Sequence, residues 1–324
     1  MLHKIAVISF DHWNYDAHIV TALQKKGIES FHIKISDFKY KNTWERIQNS
    51  FCKIFLGKNP KLKKRQEYIL QQLQEKGFQH QILVINPELI DLEYHLAIKK
   101  YTDKYIAYLY DSVSRCPVKH LLEGVFDEIF SFDKADVITY GFSETTNYIY
   151  FDIPEKSTIQ KQNFIYIGSI DNRLKFLNDF GEHLKKQQQS FLFYAIGKKA
   201  FFNKLKQLFL GKNKNIIFQK KRFTQNETLR MYAESDVIVD IVRDNQSGLS
   251  FRIFEALGLQ KKIITNNFSI QQYDFYSPNT IYIIDKNMYF DSNIYFANYE
   301  SLPQNTYQKY FISEWIETVF KLKK

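Results

Sequence analysis

The chain has 324 residues, 44% of them apolar and 17% aromatic, which excludes an intrinsically disordered protein and suits two domains better than one. Its 45 Lys or Arg against 35 Asp or Glu give a formal net charge of +10, which favours anionic partners without choosing among them. Two separated cysteines, Cys52 and Cys116, exclude a disulfide framework or a Cys-based zinc site and fit a reducing cytoplasm.

Residues 4–9, KIAVIS, form a continuous apolar run that predicts a buried strand. The run is too short for a signal peptide, and no later window reaches the length of a transmembrane helix. The expected location is therefore the cytoplasm, in solution or held peripherally at the inner face of the membrane. A loop rich in polar groups follows, with Asp11, His12 and Asp16, and then an amphipathic helix over 17–26 closed by Gly27. A second strand is expected over 30–35.

The segment 39–65, opened by Lys39 and closed by Arg65, holds nine Lys or Arg against Glu45 alone, about +8 by count. Trp44, Ile47, Phe51, Ile54 and Phe55 recur in it at helical spacing. Such a basic, aromatic stretch suits an anionic membrane surface or a lipid-linked acceptor; the alternative is a helix docked on its own sheet with solvated lysines. Apolar runs at 81–86, 105–110 and 128–132 then alternate with helical stretches, the pattern of a parallel sheet.

The polar stretch 141–161 places a domain boundary within 150–162. A second series of strands is expected at 164–167, 191–196, 215–218, 237–241, 262–265 and 280–284. In open α/β sheets ligands gather outside the carboxyl ends of the strands. After the first of these strands comes a glycine turn at Gly168 with Arg173 close behind, and after the second come Gly197 and Lys198. A last helix over 306–321 carries Tyr307, Tyr310, Phe311, Trp315 and Phe320.

The run 246–267, QSGLSFRIFEALGLQKKIITNN, reads as a helix N-terminus built to receive phosphate. Ser247 can cap, Gly248 lets a ligand approach, and the amides of Leu249 and Ser250 have no intrahelical partner. Gly258 is expected to supply a left-handed stop. Leu249, Ile253, Ala256 and Leu257 form the apolar stripe, leaving Arg252 and Glu255 on another face. The alternative for those two is an ordinary surface pair of about 0.3 kcal/mol.

The wording GLSFRIFEALG, followed by KKIITNN and YDFYSPNTIYIID, resembles the C-terminal half of group 1 glycosyltransferases with the GT-B fold, nearest the branch used in capsule and lipopolysaccharide assembly. The resemblance covers residues 160–290 well and the N-terminal half more loosely. It implies an α/β chain of two Rossmann-like domains with parallel sheets facing a central cleft. These would be an acceptor domain over 1–158, a nucleotide-sugar domain over 159–305, and a helix over 306–324 packing back on the first.

The resemblance also implies transfer of a sugar from a nucleotide-diphosphate donor to a capsule, lipopolysaccharide or lipooligosaccharide acceptor. Glu255 would hold the ribose. Arg173, Lys198, Arg252 and the amides of Gly248 to Ser250 would neutralise the leaving diphosphate. In many retaining members a second glutamate stands eight positions before the first; here that position is Ser247. Asp11 and Asp111, at expected strand ends, are the leading carboxylates for a base or an orienting group, ahead of Asp16, His12 and His120; a strand-end Asp is also a frequent helix cap.

No Asp-x-Asp motif is present, and Asp133 and Asp136, three apart, suit a helix surface, so neither a metal nor another cofactor is expected. A nucleic-acid partner is not expected either, for want of a helix-turn-helix, zinc-finger or RNP motif. Two other readings remain: a polyol-phosphate or other phosphate-donor transferase on the same fold, and a non-catalytic basic module of a polysaccharide assembly complex.

Overall fold

Parallel pairing dominates this computed structural model, which describes residues 4–11, 13–40, 42–44, 47, 60–152, 161–243, 247–285, 287–295 and 297–322. Among these residues twelve strands form two six-stranded sheets, and every strand pair is parallel. The chain divides into two compact units. One is Met1–Thr146 with Ile312–Lys324, and the other is Asn147–Phe311.

The first sheet contains β1 (Lys4–Ser9), β2 (Glu29–Lys34), β3 (Gln79–Ile85), β4 (Thr102–Leu109), β5 (Glu128–Ser131) and β6 (Ser143–Glu144), in the order β2-β1-β3-β4-β5-β6. Ile5, Ala6, Val7 and Ile8 are all fully buried, as a strand covered on both faces requires. Helix Ala17–Lys25 follows β1 and stops where Gly27 takes φ 77°. Helix Ile312–Phe320 completes this unit: Trp315 Nε1 donates to the Thr146 carbonyl at 2.8 Å, and Gln81 Nε2 donates to the Phe320 carbonyl at 2.9 Å.

The second sheet contains β7 (Gln162–Ser169), β8 (Phe191–Ile196), β9 (Ile217–Gln219), β10 (Ser235–Asp240), β11 (Lys262–Thr265) and β12 (Ile281–Ile283), in the order β12-β11-β10-β7-β8-β9. Its strands alternate between two cores. Ile165, Ile167 and Ile238 join Ile253, Phe254 and Leu257 of helix Phe251–Gly258, whereas Phe164, Tyr166, Val237 and Val239 join Leu177, Phe180 and Leu184 of helix Leu174–Lys186. Each such fully buried large side chain stabilises by about 1.5–3 kcal/mol.

The order of each sheet reverses once, between β1 and β3 and between β7 and β10, and those reversals are where an open α/β sheet leaves a crevice for ligands.

Three expectations change. The terminal helix expected over 306–321 is two helices, Gln304–Lys309 and Ile312–Phe320. They break because the Tyr310 carbonyl accepts from the Ile149 amide at 2.8 Å and Phe311 pairs with Ile149 in parallel. Gly258 is not a left-handed stop. It belongs to helix Phe251–Gly258, where a Cβ would lie 2.7 Å from Phe151 Cζ and 2.9 Å from Ile149 Cγ2; Gln260 takes the positive φ instead. Asp133 and Asp136 are buried rather than on a helix surface: Asp133 caps its helix through the Ala135 amide at 3.0 Å, and Asp136 accepts from the Val113 amide at 2.7 Å. Most of the basic segment 39–65, the centre of the expected boundary at 153–160, and His12 lie outside the described residues.

Candidate functional site

At the reversal of the second sheet, the segments that follow β7 and β10 are tied together by charge. Arg173 grips Asp171 with two parallel bonds, Nε to Oδ1 at 2.8 Å and Nη2 to Oδ2 at 2.6 Å, and its Nη1 donates to the Ile241 carbonyl at 2.8 Å. Arg243 Nε donates to the same Asp171 at 3.0 Å. Burial opposes the Asp171 charge, but these guanidinium bonds outweigh it and hold the carboxyl below its usual range.

Arg252 forms the second half of the cluster. It pairs with the fully buried Asp240 at the end of β10 and donates through Nη2 to the Ile167 carbonyl at 2.7 Å. Its guanidinium also lies 4.7 Å from the Tyr166 ring centre, and that of Arg173 lies 5.8 Å from the same ring. Burial works against the Arg252 charge, yet Asp240, Tyr232 and Tyr166 overcome that penalty and raise its pKa above the ordinary value.

The loop before helix Phe251–Gly258 is pinned by its carbonyls. Asn267 Nδ2 reaches the Ser247 carbonyl at 3.0 Å, Ser269 Oγ reaches the same atom at 2.5 Å, and Asn147 Nδ2 reaches the Leu249 carbonyl at 2.8 Å. The amides of Gly248, Leu249 and Ser250 meet no acceptor among the described residues. A rigid loop with unspent amides at the positive end of a helix can receive an anion.

The sequence-predicted residues take different places within this frame. Ser247 does not cap the helix; Ser250 occupies that position, and its hydroxyl donates to Asp240 at 2.7 Å instead. Gly168 is not in a turn but inside β7, where a Cβ would stand 2.2 Å from the Tyr166 hydroxyl oxygen. Glu255 is buried and its Oε1 accepts from the Tyr150 hydroxyl at 2.6 Å, whereas Arg252, its side chain 11% exposed, bonds Asp240. Lys198 is exposed in the turn after β8. The Thr224 hydroxyl accepts from the Glu227 amide at 3.2 Å in a capping box.

At the reversal of the first sheet, Asp11 stands at φ 46°, buried, with Oδ1 accepting from the Asp16 amide at 3.1 Å and Oδ2 lying 3.3 Å from Lys34 Nζ. Asp16 is buried beside it and accepts from the Tyr110 hydroxyl. Ser9, which also bonds Asp16, lies 2.8 Å from His32 Nε2. Burial foremost, then the Asp11 charge, pushes the Asp16 carboxyl up to about 7, against the opposing bonds from Ser9 and Tyr110 and the charge of Lys34. Asp111 is paired with Arg115 at 2.9 Å and is partly exposed. Sequence spacing ranked Asp111 above Asp16 because it shows strand ends but not burial.

The raised Asp16 pKa fixes the sign of a pH effect. An unfolded aspartate titrates near 3.8 and the folded one near 7, so this group's stabilising contribution is complete below about pH 4 and is lost as pH rises through 7. Asp16→Asn is therefore expected to be more stable than the parent at pH 8 by on the order of 1–3 kcal/mol, the advantage shrinking toward pH 4. Thermal melts of both proteins across that range check this; a constant difference would contradict it.

No protein-family model matches the chain, and no curated protein matches it in sequence. Solved structures do match. A lipopolysaccharide outer core galactosyltransferase WaaB in its apo form aligns over 98% of this chain and 99% of its own, with TM-score 0.52 and 14% identity. An S. aureus MnaA structure with UDP aligns over 100% and 98%, with TM-score 0.58 and 16% identity. An α-glucosyltransferase in complex with UDP and a 13-mer DNA aligns over 98% and 97%, with TM-score 0.60 and 13% identity. Two parallel six-stranded α/β units and full-length likeness to these structures lead to one conclusion: the chain has the GT-B fold.

Proposed function

We propose that this chain is a glycosyltransferase whose second unit holds the diphosphate of a nucleotide-sugar donor. The observation that carries the reading is the 247–250 loop, its carbonyls tied to Asn267, Ser269 and Asn147 and its amides left for an anion, next to the Arg173, Arg243 and Arg252 cluster. Breaking the bond between a sugar and a nucleoside diphosphate builds negative charge on the leaving oxygen, and fixed donors stabilise it without reorganising. The amides and Lys198 are the direct ligands in this reading. Arg252 and Arg173, already engaged with carboxylates, supply field and rigidity. Glu255 is the ribose ligand, oriented by Tyr150.

In the first unit the Asp11–Asp16 pair is the carboxylate set assigned to the acceptor. A carboxyl poised near pH 7 suits proton transfer from a hydroxyl better than the Arg115-paired Asp111. A capsule, lipopolysaccharide or lipooligosaccharide acceptor is supported by the sequence resemblance and by the named activity of the matched galactosyltransferase. The exclusion of nucleic acid drawn from sequence motifs does not hold on fold alone, because one matched structure of this fold contains DNA.

The test is a thermal-shift screen against UDP, GDP, CDP and ADP. A ligand held only by the folded state at 100 times its Kd adds about 2.7 kcal/mol of stability. One diphosphate should raise the melting temperature selectively, and Glu255→Gln should weaken that response about tenfold. No shift with any nucleotide would overturn the reading. We also expect turnover to survive a chelator; loss restored by added magnesium would contradict a metal-independent mechanism.

A further inference from the structure

Helix Ala200–Leu210 is inside out. Amphipathic helices of a globular domain turn their apolar stripe to the core, but the one buried residue described in this helix is Ala200. Phe201, Phe202, Leu208 and Phe209 are each 65–75% exposed. Their spacing, with Leu205, at i, i+1, i+4, i+7 and i+8 makes one continuous stripe rather than scattered apolar residues. The inward side is polar: Gln207 donates to the carbonyls of Asn213 at 2.8 Å and Ile216 at 3.0 Å, fixing the helix to the approach of the edge strand β9.

Charge identifies what covers the stripe. Residues 198–222 contain nine Lys or Arg and no Asp or Glu. Lys204 and Lys206 are exposed, and helical geometry sets them on opposite flanks of the stripe. A protein partner would need a matching acidic rim around a groove; a nucleic acid would match the charge but leave three phenylalanines and Leu208 facing water. An anionic lipid bilayer satisfies both features at once. Lysines meet the headgroups, and the aromatic stripe enters the boundary between headgroup and acyl chain.

We propose that helix Ala200–Leu210 docks the second unit on an anionic membrane surface. The residues varied to test it, Phe202, Lys204, Lys206 and Phe209, are none of those assigned to the donor, so the proposal stands or falls independently of the donor reading.

The experiment is co-sedimentation of the full chain with vesicles of phosphatidylcholine alone and of phosphatidylcholine mixed with phosphatidylglycerol. Binding should require the anionic lipid and weaken as salt shortens the Debye length below about 10 Å. The paired variant Phe202→Ser/Phe209→Ser should lose at least about tenfold in partitioning while keeping the parent's cooperative melt, because its positions are exposed. Lys204→Gln/Lys206→Gln should bind more weakly with a shallower salt dependence.

Absence of binding to anionic vesicles would overturn the proposal, as would undiminished binding by the phenylalanine variant. A lipid-free dimer that Phe209→Ser dissociates, with no vesicle binding, would assign the stripe to a second copy of the chain. Binding of duplex DNA that the phenylalanine variant loses, again without vesicle binding, would assign it to nucleic acid.

Discussion

Arg252→Ala is expected to cost about 3–5 kcal/mol of folding stability, because it strands a buried charge. Asp240 is fully buried, and its partners are Arg252, the Ser250 hydroxyl at 2.7 Å and the Thr265 hydroxyl at 3.4 Å. Hydroxyls soften an isolated carboxylate but do not neutralise it. Removing the guanidinium also frees the Ile167 carbonyl and takes a cation from the face of Tyr166. The sequence, which sets Arg252 on a face away from the apolar stripe, gives no sign of this cost; its pairing with the buried Asp240 ties turnover and folding together. Asp240→Asn/Arg252→Met separates the two effects. If the loss comes from the orphaned charge, the double variant should recover about 1–3 kcal/mol relative to the sum of the single changes. Additive losses in urea denaturation would contradict the buried-pair account.

Gly168→Ala is the second large effect. The added methyl would stand 2.2 Å from the Tyr166 hydroxyl oxygen and 2.5 Å from Cζ, so the ring must move. Tyr166 is fully buried and faces two guanidinium groups, leaving it little room. Overpacking of this kind costs about 1–3 kcal/mol, and the upper end is expected here. Because Arg173 and Arg252 both lie against that ring, the displacement should also reduce the nucleotide-dependent thermal shift. A variant that melts like the parent and responds fully to nucleotide would show that the ring is not the support argued here.

What the sequence made legible follows from the range of the forces involved. Strands such as β1 and β7 announce themselves because burial on both faces demands an unbroken apolar run. The two-residue edge strand β6 has no such demand and leaves no signature. A glycine in a sequence does not say whether it serves a positive φ or a close approach. Gly27 serves the first purpose and Gly258 the second, and the difference rests on Phe151 and Ile149, more than a hundred residues away.

The open amides of the 248–250 loop were readable from local chemistry, since helix ends expose amides wherever they occur. Its anchors were not: Asn147, Asn267 and Ser269 reach the loop from other segments. The same holds for the Arg252 partner Asp240 and the raised pKa of Asp16, both products of burial rather than spacing.

The central claim is that a donor diphosphate is received by the amides before helix Phe251–Gly258. Hydrogen–deuterium exchange of the full chain, with and without saturating amounts of the nucleoside diphosphate that shifts its melting temperature, tests it most directly. Slowed exchange at residues 248–252 on nucleotide addition is the predicted result. Unchanged exchange there, with protection confined to other loops, would contradict it.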